Sequence, residues 1–175
     1  NLLEYASGIA TRTSRIIQKA KAVNPSVVVV TTRKAFPGTK KVAIKAITAG
    51  GALPHRLGLS ETILVFKQHT TFLGGLDAFL GTVGDLQAQA PEKKVMVEAE
   101  TRDEALRIAR AGFPVIQIDK MPIPELGQVV KRIREINPAA KVSAAGGINE
   151  TNVAEYAATG VDIIVLSAVY FGKPA

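Results

Sequence analysis

The chain has 175 residues, 47% of them hydrophobic, enough to bury one sizeable core and too few for two large independent ones. Its formal charge of +7 admits nucleic acid, an anionic surface or small anionic substrates, but the basic clusters Arg33-Lys34 and Lys40-Lys41 carry no interleaved aromatics, which argues against nucleic acid. No apolar run reaches the roughly 18 residues of a membrane span, and the absence of cysteine excludes disulfides and thiolate chemistry, leaving a soluble cytoplasmic enzyme with small anionic partners as the simplest expectation.

Leu2, Ala6, Ile9, Ala10, Thr13, Ile16, Ile17 and Ala20 recur at spacings of three and four, which predicts an amphipathic helix ending before Asn24-Pro25. Val27 to Val30 is a β-branched run, as expected of a strand buried on both faces. A helix over Thr39 to Ala49 stops at Gly50-Gly51, where glycine can turn left-handed. Next come a strand at Ile63 to Phe66, a helix within Thr71 to Gln89 and a strand at Val95 to Glu98. Thr101 and Glu104 spell a capping box for a helix closed by Gly112. Val115 to Ile118 is the fourth strand, and Pro124 opens a helix ended by Asn137-Pro138. Lys141 to Ala145, a helix from Asn149 to Ala158 and Ile163 to Leu166 complete the pattern.

About six strands alternating with helices imply right-handed crossovers and a parallel sheet. The expectation is an α/β fold, an open or incomplete TIM-like barrel, with a flat doubly wound sheet as the alternative. Residues 1–24 read as a leading helix and 25–175 as an α/β barrel domain.

Ligands of either architecture sit at the carboxyl ends of the strands, so the residues there are the candidates. Arg33 and Lys34 follow the first strand, His55 and Arg56 precede the second, and Lys67 ends it. Glu98 and Asp119 end the third and fourth, Gly146-Gly147 follow the fifth, and Ser167 follows the sixth. Each has an ordinary reading as well: a solvated turn for Arg33-Lys34, a structural histidine, a snorkelling lysine, or helix-capping carboxylates. Together the cations suit an acidic substrate, Glu98 with Asp119 suits a hard divalent cation, and a glycine pair at a strand-to-helix turn suits phosphate.

These residues resemble the quinolinate phosphoribosyltransferases. The resemblance rests on Ser7-Gly8-Ile9-Ala10-Thr11, Thr32-Arg33-Lys34 with Pro37-Gly38, His55-Arg56-Leu57-Gly58-Leu59, Val97-Glu98-Ala99-Glu100-Thr101, Asp119 before Met121, Gly146-Gly147-Ile148 and Thr159-Gly160-Val161-Asp162. The stretch Gly58 to Phe66 followed by Gln68-His69 is similar to the ModD-like subgroup associated with molybdate-transport operons. The resemblance implies transfer of phosphoribosyl from phosphoribosyl pyrophosphate to a carboxylated heterocycle, with magnesium as cofactor and release of pyrophosphate. In the family the acceptor is a pyridine dicarboxylate and carbon dioxide is also released. It further implies a missing amino-terminal domain joined at residues 1–24, a barrel domain over 25–175 truncated at its carboxyl end, and a homodimer or higher homo-oligomer whose active site is completed by a partner subunit.

By the same resemblance Arg33, Lys34, His55, Arg56 and Lys67 bind substrate, and Lys67, Glu98 and Asp119 are catalytic. Glu98 and Asp119 attend the ribose and hold the metal, and Gly146, Gly147 and Ser167 bind phosphate. The family pattern has Asp-Asn where this chain has Gln68-His69, Asp-Asn at Asp119-Lys120, and Glu-x-Ser-Gly-Gly at Ser143 to Gly147. Those differences leave open a non-catalytic anion-binding barrel linked to molybdate transport. A barrel isomerase or lyase using Lys67 as base or Schiff-base amine is a further alternative.

Overall fold

The computed structural model describes residues 2–58 and 61–174; the motif residues Leu59 and Ser60, and the outermost Asn1 and Ala175, lie outside the described residues. By packing, the chain divides into two compact units, one taking the chain up to Leu57 and again from Ala145, the other Gly58–Ala144.

In the first unit, α1 (Leu2–Val23) lays Ile9, Thr13, Ile16 and Ala20 inward, the stripe its spacing predicts. Strand β1 (Val28–Thr31) pairs in parallel with a short edge strand β2 (Leu53–Pro54), Val30 opposite Leu53. On its other side it pairs with β7 (Ile163–Leu166), Val28 opposite Ile163. Helices α2 (Lys40–Ala49) and α8 (Val153–Ala158) both pack on α1. A single 3-10 turn, Ala168–Tyr170, follows β7. Strand β2 was not expected: two residues carry no periodicity, and only the bond from His55 N–H to the Thr31 carbonyl, 2.9 Å, extends its pairing.

Helix α8 starts four residues later than Asn149, because side chains take the backbone groups that a first helical turn would need. Asn149 Oδ1 accepts from the Thr151 N–H at 2.9 Å, and Asn152 Oδ1 accepts from the Asn149 N–H at 2.9 Å.

In the second unit, β3 (Ile63–Val65), β4 (Val95–Ala99) and β5 (Val115–Asp119) are neighbours in that order and parallel. Strand β6 (Lys141–Ala145) follows β5 in the order and carries the chain from this unit into the other. Helices α6 (Arg102–Arg110) and α7 (Ile123–Ile136) pack together, with Ile108, Leu126, Val129 and Ile133 fully buried. The capping box of α6 forms as its spelling predicts, with Thr101 Oγ1 accepting from the Glu104 N–H and Glu104 Oε2 from the Thr101 N–H.

The one helix expected within Thr71 to Gln89 is instead three: α3 (Lys67–Phe72), α4 (Leu76–Leu80) and α5 (Val83–Gln89). Gly74 and Gly75 cause the first break, with φ of 89° and 104° that a continuous helix cannot contain. Phe79 of α4 stacks on Phe113, ring centroids 5.3 Å apart, and so ties this broken segment to the core of its unit.

Lys120, directly after β5, has φ of 56°, a left-handed conformation that costs a side chain with a Cβ about 1–2 kcal/mol and asparagine less. Lys120→Asn is therefore expected to raise stability by about 0.5 kcal/mol, or about 1–2 °C, in a thermal melt. Lys120→Val should lower it, and equal melting temperatures for both variants would show that no strain is stored there.

Candidate functional site

The first unit gathers cations. Strand β1 ends at Thr31 and hands the chain through Thr32 to Arg33, while β2 ends at Pro54 and hands it to His55 and Arg56. Because β1 and β2 are parallel neighbours, these segments leave the sheet side by side. Between them lies a shallow cleft lined by Thr32, Arg33, Lys40, Arg56, Leu57 and Tyr170, over a floor of Ala43, Ile44 and Pro54. The Lys40 ammonium donates to the Leu57 carbonyl at 2.6 Å, which fixes the cleft's outer wall.

Three further contacts set the wall formed after β7. Thr32 Oγ1 and Ser167 Oγ are 2.6 Å apart, and the Tyr170 hydroxyl lies 2.8 Å from Thr31 Oγ1 and donates to the Thr32 carbonyl at 3.1 Å. Beneath them the Arg12 guanidinium donates to the Val169 carbonyl at 3.0 Å and the Lys173 carbonyl at 2.5 Å, anchoring the segment after β7 to α1.

The electrostatics of this corner favour an anion. Burial, then the charges of Arg56 and Arg33, push His55 below the usual histidine range. Arg56 is lowered by burial and by Arg33. An anionic ligand would relieve this crowding of positive charge. His55 Nε2 is buried and unpartnered among the described residues, which suits the neutral ring and would penalise a protonated one.

The unfolded chain takes a proton near pH 6.5, and the folded chain only at lower pH, so between those values the unfolded state binds more protons. His55 thus contributes stability that is complete above about pH 6.5 and is lost as pH falls through the lower folded value. Urea midpoints at pH 7.5 and 5.0 should drop more for the wild type than for His55→Gln; equal drops would remove His55 as the source.

Of the other first-unit candidates, Lys34 is exposed outside the cleft lining, its backbone N–H donating to Thr32 Oγ1 at 3.3 Å. Gly146 and Gly147 have φ of 89° and 70° and form a loop whose Gly147 carbonyl accepts from the Asn149 and Asn152 amides. Since α8 begins only at Val153, the glycines stand in this side-chain-stapled turn rather than in the helix's first turn.

The second unit gathers carboxylates. Glu98 and Gln117 are register partners on β4 and β5, and alternation along β5 puts Val115, Gln117 and Asp119 on one face. Glu98 is half-buried. Desolvation pushes its carboxyl up, a hydrogen bond from Gln117 Nε2 at 2.7 Å pulls it down, and the charges of Asp119 and Glu100 push it up again. Asp119 pairs with Lys120 at 3.3 Å.

Lys67, the first residue of α3, pairs with Glu100 at 2.9 Å, and that bond raises its ammonium above the ordinary range. The start of α3 is fixed by His69, whose Nδ1 accepts from the Phe66 N–H at 2.9 Å. The arrangement therefore bonds Glu98 to Gln117 and Lys67 to Glu100, with Asp119 near enough for its charge to act on Glu98.

Sequence reasoning did not single out Lys40, Tyr170, Gln117 or His69 in these roles. Only Gln117 left a signal, as a lone amide inside the apolar run Val115-Ile116-Gln117-Ile118.

The quinolinate phosphoribosyl transferase C-terminal domain matches residues 9–174 of the chain. A protein of Pasteurella multocida named "Putative pyrophosphorylase ModD" is 39% identical over 173 residues, covering 99% of this chain and 61% of that protein. Its namesake in Rhodobacter capsulatus is 45% identical over 156 residues, covering 88% and 59%. The crystal structure of NadC from Streptococcus pyogenes superposes with a TM-score of 0.84 at 25% identity, over 99% of this chain and 59% of that one. The chain thus spans about three fifths of the length of these relatives. The fold class they share is the parallel, open TIM-like α/β barrel that the strand and helix alternation predicts, with seven strands among the described residues in place of about six. With the match running across nearly its whole length, the chain belongs to the quinolinate phosphoribosyl transferase family through that family's C-terminal domain.

Proposed function

We propose that the full-length protein transfers a phosphoribosyl group from phosphoribosyl pyrophosphate to a small carboxylated heterocycle, releasing pyrophosphate. The observation that carries this reading is the cleft in which Arg33, Arg56 and Lys40 crowd positive charge over an apolar floor. Its chemistry suits a flat ring bearing carboxylates.

The second unit, by itself, carries groups of opposite sign. Departure of pyrophosphate leaves positive charge at the anomeric carbon, and carboxylates such as Glu98 and Asp119 stabilise charge of that sign as it develops. The same pair fits a magnesium ion. Glu98, whose carboxyl is pushed up by desolvation and then by the charge of Asp119, gains from a nearby cation, and magnesium is commonly held by one or two carboxylates with substrate phosphates completing its shell. Among the described residues no group of three or more histidines and acids converges, which accords with an ion arriving with its phosphates rather than in a protein cage. When bound, magnesium would neutralise charge on the leaving pyrophosphate. Lys67, held by Glu100, is left to meet anionic substrate atoms as a point charge.

Calorimetric titration of the full-length protein with phosphoribosyl pyrophosphate and magnesium, followed by pyridine carboxylates, tests this. Magnesium-dependent binding and pyrophosphate release with an acid present are expected. Absence of donor binding, with acids still bound, would overturn the transferase reading.

A further inference from the structure

Gln117 is 4% exposed in the middle of β5, where its neighbours Ile116 and Ile118 are fully buried. Its amide nitrogen donates to Glu98 Oε2 at 2.7 Å, while its Oε1 is buried without a partner among the described residues. An apolar side chain would fill this place without leaving a buried acceptor unsatisfied, so the amide costs stability at its oxygen end. What it supplies is the nitrogen end. Glu98 stands desolvated beside Asp119 and Glu100, and without a donor at Oε2 its carboxylate would gain by turning toward water.

Register makes the contact specific. Glu98 and Gln117 lie directly opposite across the β4–β5 pair, and Gln117 shares its strand face with Asp119. The amide therefore holds Glu98 from the strand face that also carries Asp119. Ser143 extends the same row: the Lys141 N–H donates to the Pro114 carbonyl, the offset that in the β3–β4 pair sets Ile63 opposite Val95, and this count puts Ser143 opposite Gln117. Its buried hydroxyl also has no partner among the described residues, so no serine bond competes with Glu98 for the amide.

We propose that Gln117 is a positioning residue for Glu98, fixing the carboxylate in one orientation so that its second oxygen is presented in a constant direction to the ligand. This rests on the reading that Glu98 attends the phosphoribosyl group. The test compares the full-length wild type with Gln117→Met, which keeps length and apolar packing but removes the donor, and with Gln117→Leu should the first variant fail to fold. Crystal structures of the ligand-free proteins give the first readout. The Glu98 carboxylate is expected to leave its wild-type position in the variant; an unchanged Glu98 would overturn the proposal.

Binding of magnesium phosphoribosyl pyrophosphate gives the second readout, expected about tenfold weaker in Gln117→Met. In a Glu98→Ala background the same change should alter affinity less than twofold, because its effect runs through Glu98. Equal weakening in both backgrounds would mean that Gln117 acts on the ligand or the fold independently, and would overturn the proposal. If the wild type does not bind the donor, the phosphoribosyl reading fails, and the position of Glu98 in the two crystal structures alone decides the role of Gln117.

Discussion

Arg56→Ala is expected to weaken binding of a pyridine dicarboxylate by about 100-fold, roughly 2–3 kcal/mol, while leaving the melting temperature unchanged or slightly raised. The two effects separate because Arg56 is crowded by like charge in the free protein. Its guanidinium is partly desolvated beside Arg33, and both conditions lower its proton affinity. Deleting it removes a repulsion from the fold and an attraction from the complex. Arg33 is more exposed, so Arg33→Ala should cost less, about tenfold. Arg56→Lys should recover only part of the loss, since a lysine keeps the charge but not the planar fork that matches a carboxylate. Calorimetry with the acid and a thermal melt measure the two halves. An affinity within about threefold of wild type would show that the cleft is not where the acid binds.

Removing the Arg56 charge should also let His55 take its proton at higher pH, because Arg56 is the larger of the two charges that depress it. The variant's pH dependence of stability would then be shallower than that of the wild type.

The parts of this fold that repeat physically were legible. Valine and isoleucine runs marked β1, β4, β5 and β7, the stripe from Ile9 to Ala20 marked α1, and Thr101 with Glu104 marked the start of α6. What depends on single backbone angles was not. The apolar spacing from Thr71 to Gln89 suits one helix, and only the left-handed angles at Gly74 and Gly75 divide it.

The candidate residues were found because strand ends are where a parallel α/β fold exposes side chains, but their partners depend on register, which a sequence does not print. Lys67 could have faced Glu98 and instead meets Glu100. Gln117 looked like one polar residue in an apolar strand, and only its position opposite Glu98 turns it into a donor for a carboxylate. Lys40 and Tyr170 reach the cleft from α2 and the turn after β7, elements that come into contact with it only on folding.

The second large effect is expected at Gly50, from sequence the natural helix stop. Its φ of −77° is ordinary for any residue, and the left-handed turn falls on Gly51, at 94°. Gly50 is required for space. A Cβ there would lie 2.6 Å from the Ala10 carbonyl oxygen and 2.6 Å from Thr13 Cβ, where α2 crosses α1. Neither obstacle can swing aside: one is helix backbone, and Thr13 is fully buried with its hydroxyl donating to the Ile9 carbonyl at 2.8 Å. Gly50→Ala must therefore separate the helices, at about 3 kcal/mol, or roughly 6–12 °C in melting temperature. Thr13→Ala should not rescue it, since the Cβ and the Ala10 oxygen remain. Gly51→Ala meets only the flexible tip of Ile17, 3.3 Å away, and should pay for its backbone angle alone, about 1–2 kcal/mol. Because α2 carries Lys40 at its start and leads through Leu53-Pro54 to Arg56, moving it displaces two of the cleft's three cations. Gly50→Ala should therefore also weaken acid binding at temperatures where it remains folded. A melting temperature within about 2 °C of wild type would mean that α1 and α2 can part without cost, and that the cleft is not braced by their contact.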